Sequence, residues 1–436
     1  MTTTAVPAGG VDRAVRHHAL WSERSGRLTS LALRDIFAAS LRPGVISFAG
    51  GNPDIASLPL AGLAQTAAGI VAESGPQALQ YSGGQGTVEL RSLICELMAL
   101  EGITGADADD VAVTVGSQSA LDIVTKLFCN PGDVVLAEEF TYMGALGTFA
   151  AYEADVQAVK ADQDGLVPDD LRRRITALKG AGKGIKFLYI IPNFNNPTGI
   201  TLSGERRQRV VDICRDANVL VVEDNPYGLL RYGGASLPAL KAANPLDVVY
   251  LSSFSKIFAP GLRMGWALIP EHLKNRFFLS GEAATLCPPA FNQMLVAAYL
   301  REHDWTGQLA VSRRLYRQRR DALMAALVEF LPAGIRWTVP DGGFFSWLTM
   351  PSGLDTQMLV PPAIGAGVTF IPGAVFSSSG NASARLRLAF SALTPELIAE
   401  GVRRLAPVLG QAMGQRVPAQ SSHSPAAPAG PGPVQP

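Results

Sequence analysis

The feature that most constrains the fold of this chain is a series of short apolar runs at 111–115, 134–137, 187–191, 219–222, 248–251 and 265–269. Each is too short to be a helix core. Amphipathic helical stretches separate several of them, as in Leu121, Val124, Leu127 and Phe128 after the first run. Runs of four or five apolar, largely β-branched residues between helices predict strands buried on both faces, and their spacing suits β-α-β crossovers. The expected fold class is α/β with a mostly parallel sheet. With 436 residues and 47% hydrophobic content, the chain can bury more than one domain's worth of core.

In such a sheet, ligands collect at the carboxyl ends of the strands. Four polar motifs fall there. Gly116-Ser117-Gln118-Ser119 follows the first run and opens a predicted helix over 120–128. Asn193-Phe194-Asn195-Asn196-Pro197-Thr198-Gly199 follows 187–191. Asp224-Asn225-Pro226-Tyr227 follows 219–222. Ser252-Ser253-Phe254-Ser255-Lys256 follows 248–251, with Arg263 seven residues beyond the lysine. A lysine among apolar walls has its charged form disfavoured, so its amine can act as a nucleophile. Serines and an arginine beside it can hold a phosphate. A helix N-terminus adds free N–H groups and a favourable dipole for the same anion. A Schiff-base lysine next to a phosphate grip is what pyridoxal 5'-phosphate (PLP) requires.

Each motif has a plainer alternative. Lys256 could be a surface lysine after a strand, Ser117 a helix cap, Asn196 part of an Asn-Pro turn, and Asp224 a solvated turn residue. No second carboxylate or histidine lies at ligand spacing from Asp224, so no metal is expected.

Taken together, the four ordered motifs resemble the class I and II aminotransferases of PLP fold type I, from about Arg24 to about Leu409. The openings Arg27-Leu28-Thr29-Ser30-Leu31-Ala32-Leu33-Arg34-Asp35-Ile36-Phe37 and Ile46-Ser47-Phe48-Ala49-Gly50-Gly51 are similar to the aminoadipate, kynurenine and aromatic branch. The resemblance implies a mostly parallel seven-stranded sheet flanked by helices, plus a smaller α+β domain. It divides the chain into a disordered start (1–12), an arm packing with the small domain (13–55), a large PLP-binding domain (56–304), a small domain (305–412) and a disordered Pro/Ala-rich tail (413–436).

The family's site residues carry over onto matching positions. Lys256 would hold PLP as a Schiff base, Asp224 would pair with the pyridine nitrogen, and Tyr227 and Asn196 would bond the phenolic oxygen. Ser117, Gln118, Ser253, Ser255 and Arg263 would hold the phosphate, and Tyr142 would stack on the ring. Tyr81, in Gln80-Tyr81-Ser82-Gly83-Gly84-Gln85-Gly86, resembles a tyrosine that reaches the neighbouring subunit's phosphate, which implies a homodimer with shared sites. Arg387 matches the clamp for the substrate α-carboxylate. Arg385 competes with it, because alternation puts both on one strand face. Gly51 and Asn196 would line the substrate pocket, and Arg34 would meet the distal carboxylate of acidic substrates. The stretch Gly51-Asn52-Pro53-Asp54-Ile55-Ala56-Ser57-Leu58 departs from the family's usual Leu-Pro after the glycines.

The implied activity is transfer of an amino group from an L-amino acid (aromatic, branched, aminoadipate-like or arylglycine-type) to a 2-oxo acid such as 2-oxoglutarate. Related folds support a PLP lyase or decarboxylase with the same lysine and aspartate, and that alternative stays open. So does a non-catalytic PLP-binding regulator, although about forty residues ahead of Ile46 are few for a DNA-binding domain. Zero net charge makes nucleic acid a poor partner. Four scattered cysteines, no apolar leader and no long apolar run point to a cytoplasmic protein without a membrane span.

Overall fold

The computed structural model describes His17, residues 20–27 and residues 31–414. The expected disordered start, residues 415–436 of the expected tail, and Leu28, Thr29 and Ser30 of the opening motif lie outside the described residues. Met413 and Gly414 close the last helix rather than begin a tail.

All six apolar runs form strands of one sheet, to within two residues at each end. They are β1 (Val111–Thr114), β2 (Val134–Glu138), β4 (Ile185–Ile190), β5 (Leu220–Asp224), β6 (Val248–Ser253) and β7 (Gly265–Leu268), joined by β3 (Asp155–Val159). The sheet runs β1-β7-β6-β5-β4-β2-β3. Only β7 runs against its neighbours, and the other pairs are parallel. The sequence did not point to β3 because Asp155 and Gln157 interrupt its apolar residues, and all but Val159 are only half-buried, as suits an edge.

Alternation along the strands builds two cores. Phe187, Tyr189, Val222, Val249 and Leu251 pack with Leu121, Ile123 and Val124. Those three lie on a helix over Ser117–Phe128. Leu188, Ile190, Val221 and Val248 pack on the opposite face against Leu171, Ile175, Val210 and Val211. Period-2 geometry thus sends Asp224, two residues after Val222, to the same face as Tyr189.

A second, antiparallel sheet holds β8 (Arg336–Trp337), β9 (Phe345–Thr349), β10 (Ile371–Pro372) and β11 (Arg385–Ala389), in the order β8-β9-β11-β10. The helices numbered here are α1 (Leu31–Ser40), α2 (Ser117–Phe128), α3 (Trp305–Phe330) and α4 (Pro395–Ala412). Leu323 and Leu327 of α3 and Ile398, Val402 and Leu405 of α4 cover this sheet. The first half of α3 instead sends Leu309 and Tyr316 into the core beside β1 and β7. One helix of 26 residues, about 39 Å long, therefore spans both cores. The N-terminal segment joins the second sheet's side of the molecule, where Ile46–Ser47 pairs in parallel with Val368–Thr369.

Candidate functional site

The carboxyl ends of β1, β4, β5 and β6 open into one cavity of about 270 Å³. Ser117, Gln118, Tyr142, Asn196, Asp224, Tyr227, Ser253, Ser255, Lys256, Arg263, Arg387 and Gly51 all line it.

Lys256 stands in a turn just past β6. Phe254 and Phe258 anchor the turn on either side, packed on Trp266 at 4.9 Å and on Tyr299 at 3.9 Å between ring centroids. With those rings buried, Lys256 is left pointing into the cavity, where its Nζ donates to the Gly51 carbonyl at 3.1 Å. Burial, reinforced by the nearby Arg387 and Arg263 charges, lowers its amine to about 8, against a smaller opposing pull from Asp224.

Asp224 ends β5. Its Oδ2 accepts from the Tyr189 hydroxyl at 2.7 Å. Its Oδ1 is buried without a partner. Burial raises the carboxyl to about 6, although the Tyr189 bond and the Lys256 charge both favour the ionised form. Tyr227 is buried beside Phe344 and Phe345, and burial pushes its phenol well up.

One corner of the cavity is built where three segments meet. α2 starts at Ser117 rather than near Ala120, and Gly116 is its cap residue, with φ of 75° and no side-chain cap bond. Ser117 is therefore not the cap; the Ser119 N–H bonds the Gly116 carbonyl, which leaves the Ser117 and Gln118 N–H groups at the helix start. Gly265 of β7 lets this turn approach, since a Cβ there would come within 2.6 Å of the Ser117 nitrogen. The Ser253 hydroxyl donates to Ser255 Oγ at 2.8 Å and accepts from the Ser255 N–H at 2.9 Å. Arg263 reaches toward the same place from a left-handed backbone, φ 54°. Its Nη1 lies 3.5 Å from Ser255 Oγ and its Nη2 donates to the Val115 carbonyl at 3.4 Å. The Gln118 side chain donates to Thr148 Oγ1 at 2.7 Å. Tyr142 caps the helix Met143–Ala151 and lines the cavity.

Arg387, on β11, is 2% exposed. Its Nη1 donates to Asn196 Oδ1 at 2.7 Å and its Nη2 to the Ala49 carbonyl. Its guanidinium lies 4.3 Å and 4.9 Å from the centroids of Phe345 and Phe376. Nε is buried without a partner, and burial lowers the group to about 10. Arg385 instead stacks 4.2 Å over Phe140 and does not line the cavity. Alternation left these two arginines tied, and packing separates them.

Two sequence candidates are not brought into the cavity. Tyr81 is 75% exposed. Arg34 is exposed on α1, one turn before Phe37, which does line the cavity. The sequence did not single out Tyr189, or the buried Glu138, whose Oε2 accepts from the Ile191 N–H and from Asn195 Nδ2. Asn195 in turn accepts from the Thr198 N–H at 3.1 Å and so shapes the loop that presents Asn196. The available signal was a carboxylate inside an apolar strand.

Among the described residues no helix is long and apolar enough to cross a membrane, and no His/Cys/Asp/Glu group is gathered for a metal.

Residues 43–405 match the family model described as aminotransferase class I and II. The chain is 34% identical to aromatic-amino-acid aminotransferase 1 of Thermococcus litoralis, over 90% of this chain and 94% of that one. It is 36% identical to the 2-aminoadipate transaminase of Thermus thermophilus, over 88% and 96%. Its fold is similar to the solved α-aminoadipate aminotransferase of Thermus thermophilus complexed with N-(5'-phosphopyridoxyl)-L-leucine, with a TM-score of 0.84, 34% identity, and coverage of 91% and 99%.

Proposed function

This chain belongs to the class I and II aminotransferases, and from that premise we propose a division of labour among its cavity residues. The enzyme is a PLP-dependent aminotransferase of fold type I. The observation that carries the assignment is the unpartnered, buried Asp224 Oδ1 in the same cavity as Lys256. A lone buried carboxylate oxygen calls for a cationic N–H donor, and the pyridine nitrogen of the cofactor is one. The Ser117 and Gln118 N–H groups at the start of α2, the Ser253 and Ser255 hydroxyls and Arg263 would supply the donors that a phosphate requires. The donor set therefore fits the group.

When bound, PLP supplies an electron sink for negative charge at the substrate Cα. The protein's share is proton handling and positioning. Lys256, with its amine lowered to about 8, exists partly as the neutral base near neutral pH; it would take the proton from the substrate Cα and hand it to C4' of the bound cofactor. Asp224 Oδ1 would hold the proton on the ring nitrogen, Tyr227 and Asn196 would donate to the phenolic oxygen, and Tyr142 would lie against the ring face. Arg387 takes the α-carboxylate with its planar fork, and Gly51 gives the substrate room along the opposite wall.

Phe37, Tyr142, Met143 and Phe345 give the cavity an apolar side. That supports aromatic, branched or arylglycine-type donors. Arg34, on the face of α1 that leads to Phe37, would serve aminoadipate-like donors and 2-oxoglutarate. Exposed Tyr81 is assigned to the site of a second subunit in a homodimer. We divide the chain into an arm to 55, a large domain to 304 and a small domain to 412, in keeping with the separate sheets. The four cysteines are free, which suits a reducing cytoplasm.

The test is to mix the PLP-loaded enzyme with single amino acids and follow the cofactor's spectrum. Conversion to the pyridoxamine form by aromatic or aminoadipate-type donors, reversed by 2-oxoglutarate, is expected. A product that retains its amino group or loses its carboxylate would move the assignment to a lyase or decarboxylase.

A further inference from the structure

The stretch where this chain departs from the family pattern forms a wall of the cavity. Gly50, Gly51 and Asn52 line it. The wall is held by its carbonyls: Ala49 accepts from Arg387, Gly51 from Lys256, and Asn52 from Ser391 Oγ at 2.7 Å. Two residues beyond Asn52 the same segment is anchored to α3. The Asp54 N–H donates to the Tyr316 hydroxyl at 2.8 Å, and Asp54 Oδ2 accepts from Arg319 Nη2 at 2.6 Å. Asp54 Oδ1 accepts from the Ser57 N–H at 2.9 Å. The other terminal nitrogen of Arg319, Nη1, donates to the Ser391 carbonyl. The two side chains are 7% and 15% exposed, so water screens their pairing only weakly.

We propose that Arg319 and Asp54 form a brace that sets the separation between the 50–52 wall and the strand carrying Arg387. They are positioning residues for substrate binding. Ser391 is two residues past the end of β11, and Arg387 lies inside that strand. Arg319 therefore grips both sides of the carboxylate site at once, one through Asp54 and one through the Ser391 carbonyl. Pro53 stands between Asn52 and Asp54 and restricts the backbone there, so a shift at Asp54 is transmitted to Asn52. Ser391 closes the loop by bonding the Asn52 carbonyl directly. A lysine at 319 would offer one compact ammonium where a planar fork now meets two acceptors.

The inference rests on the assignment of Arg387 to the α-carboxylate, and the experiment separates the two. Asp54→Asn, Arg319→Lys and Ser391→Ala are compared with wild type and with Arg387→Ala, all as PLP-loaded enzyme. The measurements are the Kd of an α-methyl amino acid, read from cofactor absorption, kcat and KM for one aromatic and one acidic donor, Tm, and retention of PLP. Asp54→Asn keeps shape and the acceptor for Ser57. It should raise Kd and both KM values about tenfold and leave kcat within about twofold, the split expected when ground-state and transition-state binding fall together. PLP retention should stay at the wild-type value, whereas Tm should fall, because the buried Arg319 guanidinium loses its counter-charge. Ser391→Ala should move Kd the same way by about threefold. Should Arg319→Lys fail to fold, Asp54→Asn and Ser391→Ala still decide. A Kd within twofold of wild type in Asp54→Asn overturns the brace, as does a Kd change that appears only together with lost PLP. If Arg387→Ala also leaves Kd unchanged, the carboxylate assignment itself falls and takes the brace with it. Weak binding in Arg387→Ala beside normal binding in Asp54→Asn sinks the brace alone.

Discussion

The Tyr189 hydroxyl donates to Asp224 Oδ2 at 2.7 Å, and this bond decides which carboxylate oxygen is left for a ligand. The two residues sit on neighbouring parallel strands, β4 and β5, with Tyr189 opposite Val222 in the register. One oxygen is spent inside the sheet and the other stays buried and unpaired. Without PLP such a carboxylate is destabilising; with a cationic nitrogen beside it, it is satisfied.

That contrast predicts opposite effects of Asp224→Asn on the two forms. The Asp224 carboxyl is raised from 3.8 to about 6. Between those values the folded protein holds a proton that the unfolded chain has released, so this group makes stability fall as pH rises from about 4 to about 6. The full penalty, about 2–3 kcal/mol, is then present at pH 7 and above. PLP-free Asp224→Asn should melt higher than PLP-free wild type at pH 8, and the gap should close toward pH 4. The loaded variant should lose more than about a hundredfold in kcat/KM. Melting curves of the PLP-free pair across pH, beside kinetics of the loaded pair, check both. A constant gap across pH would show that Asp224 does not titrate as described.

Reduction of the PLP-loaded enzyme with borohydride should fix the cofactor on the peptide that contains Lys256. The enclosed position and lowered amine of Lys256 favour it over surface lysines. Peptide mass mapping reads the result, and a phosphopyridoxyl group on another lysine contradicts the assignment.

Arg387→Ala should lower kcat/KM for every donor and acceptor by about 2–4 kcal/mol, because all share the α-carboxylate and the buried guanidinium is its partner. Arg34→Ala should weaken only substrates with a second carboxylate. Steady-state kinetics with phenylalanine, 2-aminoadipate and 2-oxoglutarate separate the two. Equal losses for acidic and neutral substrates would reduce Arg34 to an exposed helix residue.

Mixing Tyr81→Phe subunits with Lys256→Ala subunits should restore activity above that of either variant alone. In a dimer with shared sites, one site of the mixed dimer collects both defects and the other collects none. Activity that stays low once mixed dimers are demonstrated by mass spectrometry would mean that each site is built from one chain.

The strands of the central sheet were legible because their residues are buried on both faces and read as unbroken apolar runs. The edge strand β3, whose apolar residues are interrupted by Asp155 and Gln157, lacked that signature. The residues that line the cavity were legible where a motif followed a strand end. Alternation by itself could not tell Arg385 from Arg387, since it gives them one face; the family resemblance favoured Arg387, and packing against Phe140 or against Phe345 and Phe376 divides them. Tyr189 was hidden for a related reason: its meaning depends on which strand lies beside β4, a long-range pairing that no local pattern encodes. The Asp54–Arg319 pair joins residues 265 positions apart and was equally out of reach.

The reversed strand β7 also imposes an order of events on a chain emerging from the ribosome. Among the described residues β1 is hydrogen-bonded within the sheet to β7 alone, and Gly265 faces both Thr114 of β1 and Ser253 of β6. The turn at Gly116 and the serines after β6 therefore cannot meet until β7 has been made and inserted between their strands. Arg263, the third part of the grip, arrives on the same segment. A growing chain that has completed Lys256 has not yet brought Arg263 to the cavity that Ser117 and Ser253 line. Bringing together segments about 150 residues apart is a slow, entropically opposed step, so the cofactor can be captured only after the sheet has been completed.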